Sequence, residues 1–307
     1  MANRRKKGRR IDGILLLDKP VGISSNLALQ KVKRLYGAQK AGHTGSLDPL
    51  ASGMLPICLG EATKFSQFLL DSDKHYQTTG RLGIKTTTSD AEGEVIETRP
   101  VQVTEAELLA SLERFRGDIT QVPSMYSALK HEGRPLYELA REGKTIEREA
   151  RDITIHHLEL LGFETPDFRL DVRCSKGTYI RNLVEDIGDV LGCGAHVTVL
   201  RRLEVNEFPA EAMVTWEQLE QTLAEGGHAA VDQLLLPADA GIQAFPAVTL
   251  SESVAFYLLK GQPVRARNAP SEGWVRLYDE AGTFLGMGEI DDEARVAPRR
   301  LLAAPEE

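Results

Sequence analysis

Apolar and polar positions fall along the chain in blocks that predict its elements. The apolar run at 13–18 predicts a buried strand, broken by Lys19-Pro20-Val21-Gly22. Ser24 or Ser25 is placed to cap a helix with Leu27, Val32 and Leu35 on its apolar side. A glycine-rich loop runs from 42 to 53. An amphipathic helix follows near 61–70, with Ala62, Phe65, Phe68 and Leu69 on its core face. The stretch 76–84 reads as a strand and 89–93 as a turn. Thr104 and Glu107 form the capping box of a further helix. Residues 123–151 are polar and mixed in charge, which predicts a solvated helical insertion carrying intrahelical ion pairs. Strands follow at 153–163, 168–175 and 195–205, with a helix at 180–191. From about 245 the texture changes to a short helix ending at Leu259-Lys260-Gly261 and a hairpin over 274–290. These elements predict an α+β fold with a mixed or antiparallel sheet, segregated helices and a small C-terminal β-rich domain.

Composition narrows the function classes. The chain has 307 residues, 42% of them hydrophobic and 27% charged, enough to bury a core without staples. Three cysteines lack a C-x-x-C spacing, and seven histidines form no H-x-x-x-H pattern. No structural metal and no disulfide framework are expected. No apolar run approaches the roughly 18 residues of a membrane span. Residues 1–10 hold six basic side chains with no apolar segment behind them, which predicts a basic disordered tail rather than a signal peptide. The net charge of -8 counts against a nucleic-acid partner, although a minority of basic residues can still line one cleft.

Chemistry concentrates in Gly42-His43-Thr44-Gly45-Ser46-Leu47-Asp48-Pro49-Leu50-Ala51-Ser52-Gly53. Glycines let a ligand approach the backbone closely, and Pro49 biases Asp48 toward extended dihedrals. Asp48 can therefore project as an anionic nucleophile. Asp before Pro is equally a common helix start, with Asp as N-cap. Spacing alone favours the cap, so composition and periodicity do not establish catalysis.

This loop closely resembles the catalytic loop of the TruB family, bacterial enzymes that make pseudouridine in the T arm of tRNA. Lys19-Pro20 with Gly22 and Ser24 resembles the family's first motif. Tyr76 falls in its tyrosine-bearing strand, and Lys176-Gly177-Thr178-Tyr179-Ile180-Arg181 resembles its third motif. Leu200-Arg201-Arg202 resembles the segment that follows. The resemblance runs from about 12 to 300. It implies a pseudouridine synthase catalytic domain over 11–244, with an RNA-gripping insertion at 123–152, and a PUA-like RNA-binding domain over 245–307. It implies Asp48, Tyr76 and Arg181 as catalytic residues, and His43, Tyr76, Tyr179 and Leu200 as substrate-binding residues. Lys19, Lys64 and Asp90 are candidates for structural or RNA contacts. The implied substrate is the T-arm stem-loop of tRNA, converted at uridine-55 by a cytoplasmic, stand-alone monomer. No cofactor, metal, DNA, membrane or guide RNA is expected.

Three alternatives stand beside this expectation. A tRNA-folding chaperone would need the RNA surface but not Asp48. A glycoside hydrolase would use two carboxylates, such as Asp48 and Asp90, to cleave a sugar bond with water. A guide-RNA-dependent relative of the dyskerin type would keep the chemistry and add partners.

Overall fold

The computed structural model describes residues 8–127 and 129–303. Its main sheet is assembled from distant parts of the chain. β1 (Gly13–Lys19), the predicted apolar run, is buried along nearly its whole length. β2 (Ala41–His43) and β3 (Ser52–Leu59) flank the glycine-rich loop. β3 is buried from Gly53 to Leu59. It lacks the alternation of a half-buried strand, and Pro56 interrupts it. β4 (Lys74–Leu82), β7 (Gly117–Gln121), β10 (Arg151–Glu164), β11 (Asp167–Cys174) and β12 (Ala195–Val205) complete the sheet, while β5 (Ile84–Thr86) and β6 (Val95–Thr98) form a separate hairpin. The sheet order is β1-β3-β12-β4-β11-β10-β7, with β2 on β3. All its pairs are antiparallel except the short parallel contact of β12 with β3. Tyr76 thus lies in a central strand, opposite Val172 of β11 and Arg202 of β12.

Helix α1 (Ser25–Leu35) is capped by Ser24, whose side chain accepts from the Leu27 N–H. Leu27 itself is 47% exposed, and the buried face is Ala28, Leu29 and Val32. Five residues separate Leu27 from Val32, which sets them about 140° apart around a helix. The expected helix near 61–70 is a 3-10 turn, Gly60–Phe65, running into the five-residue α2 (Ser66–Leu70). α3 (Glu105–Leu112) carries the predicted Thr104/Glu107 capping box.

The insertion departs from the helical expectation. A two-residue hairpin, β8 (Lys130–His131) and β9 (Arg134–Pro135), leads into the short α4 (Leu136–Arg141), and the rest is turn and extended chain. Gly133 and Gly143 at φ +84° and +75° break any longer helix. Arg134 and Lys144 both pair with Glu142 across these turns, not along a helix face.

α5 (Ile180–Val190) lays Ile180, Leu183, Val184 and Ile187 on the core. α6 (Trp216–Asp232), which the sequence reading leaves unassigned, starts at a Thr215/Gln218 capping box and kinks at Gly227. The expected basic tail lies outside the described residues up to residue 7. Of the rest, Arg9 pairs with Asp232 at 2.5 Å and donates its N–H to Gly37 O.

A separate four-stranded sheet closes the chain. It comprises β13 (Ala247–Leu250), β14 (Gly273–Asp279), β15 (Phe284–Ile290) and β16 (Val296–Leu301), with α7 (Glu252–Leu259) after β13. It has its own core of Val248, Leu258, Val275, Leu277 and Val296. It docks on the 60–70 segment through rings: Phe68 meets Phe245 and Trp274, and Phe65 meets Phe284, with centroids 5.1–5.4 Å apart. Lys64 donates to Leu301 O at 2.7 Å and pairs with Glu61, so its described contacts are structural.

Candidate active site

The loop between β2 and β3 is held from several sides. The Thr44 N–H donates to Pro56 O. Gly45 O accepts from Arg202 Nη2 at 3.0 Å. Ser25 Oγ accepts from the Leu47 N–H at 2.7 Å and lies 2.9 Å from Leu47 O. Pro49 O accepts from the Gly22 N–H at 2.8 Å. Gly53 sits at φ +100°, and a Cβ there would lie 2.1 Å from Arg202 O, so only glycine fits. Lys19 is fully buried beneath this region and donates to Pro20 O and Ile23 O, both at 2.8 Å. The first motif is thus a scaffold for the loop. No helix starts at Pro49: a turn leads directly into β3. Asp48 is not a helix cap.

The Asp48 carboxylate instead meets Arg181, Oδ2 to Nε at 3.0 Å. Arg181 projects from the first turn of α5 and is fixed on every side. Nη1 donates to Thr88 O at 2.8 Å and lies 3.4 Å from Asp90 Oδ2, and Nη2 donates to Tyr126 O at 2.9 Å. The Asp48 side chain is 40% exposed, against 6% for Arg181 and 3% for Asp90. Asp48 is therefore the carboxylate presented to a ligand, while Asp90 braces the arginine from behind. A hydrolase using these two acids on one sugar bond finds Asp90 packed away from solvent.

Burial is the largest influence on the Asp48 carboxyl and pushes its pKa up. Arg181 and Lys19 pull it down, and Asp90 raises it further. The side chain has an open side, yet the surrounding walls withdraw enough water for burial to prevail. Burial brings Lys19 down to about 8, against the pull of Asp48. Burial, then Arg202, lowers His43, so its imidazole is neutral near pH 7. Burial raises the Tyr76 hydroxyl, with Arg202 opposing, and raises Tyr179, with Ser127 opposing.

A cavity of about 800 Å³ opens in front of Asp48, and His43, Tyr76, Tyr179, Arg181 and Leu200 all line it. Six residues separated by up to 157 positions converge on one space. Lys19, Lys64 and Asp90 stand outside its lining. Gln121, which the sequence reading passes over, clamps Tyr179 by accepting from its N–H at 2.8 Å and donating to its carbonyl at 3.1 Å. Arg202 also lines the cavity; the sequence marks it only as part of the Leu200-Arg201-Arg202 segment, with no role attached. A larger hollow of about 1100 Å³ adjoins and shares Leu70, Ser175 and Gly177. It carries Arg114, Arg151 and Lys176 among acids, but no converging reactive set. Among the described residues, no cluster of His, Cys, Asp or Glu is placed to hold a metal ion, and no helix is long and apolar enough to cross a membrane.

Comparison with known proteins bears on what this cavity does. Residues 33–180 match the TruB family pseudouridylate synthase N-terminal domain. Residues 181–243 match the tRNA pseudouridylate synthase B C-terminal domain, and 246–302 the pseudouridine synthase II TruB C-terminal family. The chain is 59% identical over 302 residues to tRNA pseudouridine synthase B of Ectopseudomonas mendocina, covering 98% of this chain and 99% of that one. It is 60% identical over 306 residues to tRNA pseudouridine synthase B of Aeromonas salmonicida, covering 97% and 96%. Among solved structures, it resembles a chain of a Cbf5-Nop10-Gar1 complex, with TM-score 0.75, 25% identity and coverage of 94% and 84%. A chain of an H/ACA RNP bound to a substrate RNA shares the fold, with TM-score 0.73, 22% identity and coverage of 99% and 92%.

Proposed function

The chain belongs to the TruB family of pseudouridylate synthases, and from that premise we propose that it isomerises one uridine of tRNA, uridine-55 of the T loop, into pseudouridine. The observation that carries this reading is the Asp48–Arg181 pair at 3.0 Å in the wall of a cavity lined by two tyrosines. The target base leaves its stack and enters the cavity. Tyr76 offers it an aromatic face, which grips a base in any orientation. Ionised Asp48 initiates breakage of the N1–C1′ bond, and Arg181 holds the carboxylate in line. The base turns and rejoins through C5; the Tyr76 hydroxyl oxygen takes the C5 proton as it passes its own proton on, and N1 takes up a proton, so the protons balance. Tyr179 and Leu200 wall the base, and neutral His43 steadies the flipped nucleotide. The reaction is an internal transfer with no net redox change, so no redox cofactor enters.

The insertion at 123–152 grips the RNA, and the 245–307 unit binds it from the far side of the 60–70 segment. The enzyme works in the cytoplasm as a monomer without a guide. The test is tritium release from C5-labelled uridine in a T-arm stem-loop, with the purified chain and a chelator present. Release with the chain alone is expected. None from the stem-loop or from whole tRNA would sink the reading, and release only with an added guide RNA would favour the guided one. Tyr76→Phe is expected to keep stem-loop binding and lose most release; full activity would leave Tyr76 a stacking role alone.

A further inference from the structure

Arg202 stands apart from the other charges of the cavity. It is 1% exposed, and its hydrogen-bond partners are uncharged: Nε donates to Met54 O at 2.7 Å, Nη2 donates to Gly45 O at 3.0 Å, and the guanidinium also hydrogen-bonds the Tyr76 hydroxyl. Among the described residues it forms no ion pair, whereas Arg181 has a carboxylate on either side. Removing a guanidinium from water without a counter-ion costs several kcal/mol. A neutral N–H donor would satisfy a carbonyl without that cost. The hydrogen bonds account for a donor at this position but not for a charge.

The charge acts toward the cavity. Arg202 is the direct cross-strand partner of Tyr76, so both side chains lie on one face of the sheet. Its field opposes the burial-driven rise of the Tyr76 hydroxyl and adds to the lowering of His43 and Lys74. In a chain of net charge -8, the cavity lining holds Lys74, Lys130, Arg181 and Arg202 against the single carboxylate Asp48.

The reaction supplies a use for a free cation. When N1–C1′ breaks, its electron pair stays with uracil and spreads over N1, O2 and O4. This holds whether C1′ is taken by Asp48 or a ribose proton is removed. Addition of Asp48 to the uracil ring also loads charge onto the base. On rejoining, the base supplies the pair for the C5–C1′ bond, C5 loses its proton and N1 gains one. The charge is transient, and every route places it on the base. We propose that Arg202 is the counter-cation of the detached uracil, its uncompensated charge stabilising the negative charge that develops there. This rests on the isomerase reading above.

The test is single-turnover conversion of a T-arm stem-loop with uridine or 5-fluorouridine at the target, followed as loss of the starting nucleoside in nuclease digests. Fluorine withdraws electrons, so a fluorinated base leaves with less help. Arg202→Gln keeps an N–H donor and removes the charge. It is expected to lose on the order of 10²-fold on uridine, far less on 5-fluorouridine, with stem-loop affinity within about threefold. Arg202→Lys keeps the charge and most of the rate at neutral pH. It is expected to lose rate as pH rises through about 8, where buried Lys19 and half-buried Lys74 lose their protons, with a steeper fall than the unmodified chain. Equal losses of Arg202→Gln on the two bases would mark a structural role and overturn the proposal, as would no loss. If Arg202→Gln fails to fold, the pH dependence of Arg202→Lys decides, and a profile matching the unmodified chain overturns it. Failure of the unmodified chain to convert uridine would refute the isomerase reading instead, so the two failures are distinct.

Discussion

The loop at 44–51 and the insertion at 123–152 both border the cavity, but they are held in opposite ways. The loop is tied to α1, to the turn at 20–23, to β3 and to β12, and its Asp48 is paired with α5. The insertion is fastened at its root, where Val122 O accepts from Asn182 and Tyr126 O from Arg181. Among the described residues, the hydrogen bonds and ion pairs of 129–147 stay within the insertion. Over-determination fixes a reacting atom to a fraction of an ångström. A segment held only at its root can instead take the shape of a partner. On the proposed reading, the difference separates positioning of chemistry from fitting of RNA within one cavity wall.

Asp48→Asn is the severest way to break the loop's part of this contrast. We expect turnover to fall at least about 10³-fold, with stem-loop affinity within about tenfold, or roughly 1.4 kcal/mol. Normal turnover by a folded variant would end the nucleophile assignment. Because burial raises the folded pKa of Asp48, the stability this group contributes is highest below its unfolded pKa and falls as pH rises to the folded value. The melting temperature of Asp48→Asn at neutral pH is therefore not expected to drop. By the same shift, the acid limb of the rate profile is expected above the ordinary aspartate value of about 3.9; an acid limb below it would contradict the burial argument.

Replacing 130–147 by a short Gly-Ser bridge tests the other region. We expect KM to rise on the order of 10–100-fold and kcat to change less, with the melting temperature nearly kept. An unchanged KM would remove the insertion from RNA binding. Ser25→Ala sharpens the comparison from beneath the loop. It removes both hydroxyl contacts with Leu47 and is expected to cost about 1–2 kcal/mol of stability, measured by denaturant unfolding. It should lower kcat roughly 3–10-fold at constant KM; an equal rise in KM would show that the loop also holds substrate.

The smallest effect belongs to the insertion's ion pairs. The Arg134 hydrogen bond, with Lys144 beside it, pushes Glu142 down to about 2, but all three side chains stand in solvent. Screening removes most of that interaction. Arg134→Gln is expected to leave the melting temperature unmoved in low and high salt alike, and a clear drop would mean that the insertion is more firmly built than its contacts imply.

How much of this was legible in the sequence depended on local signals. Strand β1, the hairpin of β10 and β11, helix α5 and the Thr104 capping box announced themselves through run, alternation and cap. β3 did not, because a strand buried on both faces shows no alternation and Pro56 argued against it. The insertion misled, since mixed charges resemble a solvated helix while Gly133 and Gly143 impose turns. Leu27 was assigned by hydrophobicity against its angular position. Asp48 was singled out as a candidate nucleophile over a helix cap only through the resemblance of its loop and motifs, and the pairing with Arg181 joins residues too far apart for spacing to reveal. The braces were the least legible. Gln121 and Ser25 act by meeting particular backbone atoms of distant segments, and nothing local records that; the segment holding Arg202 was named, but not what its charge faces.

β4 writes the site in alternate letters. Lys74 and Tyr76 line the cavity. His75 between them and Gln77 after Tyr76 face the other way, to Asp171, and His75 also to Glu204. Register shifts in β12, between Val197 and Val199 and between Arg202 and Glu204, frame the stretch that aligns Arg202 with Tyr76. A single residue inserted or lost in β4 ahead of Tyr76 would change the parity of every position after it. Placed ahead of Lys74, it would exchange a tyrosine and a lysine for a histidine and a glutamine on the cavity face. The strand therefore behaves as a reading frame. Point changes edit single letters, whereas a change of length garbles the whole word; a segment like the insertion has no such frame to keep.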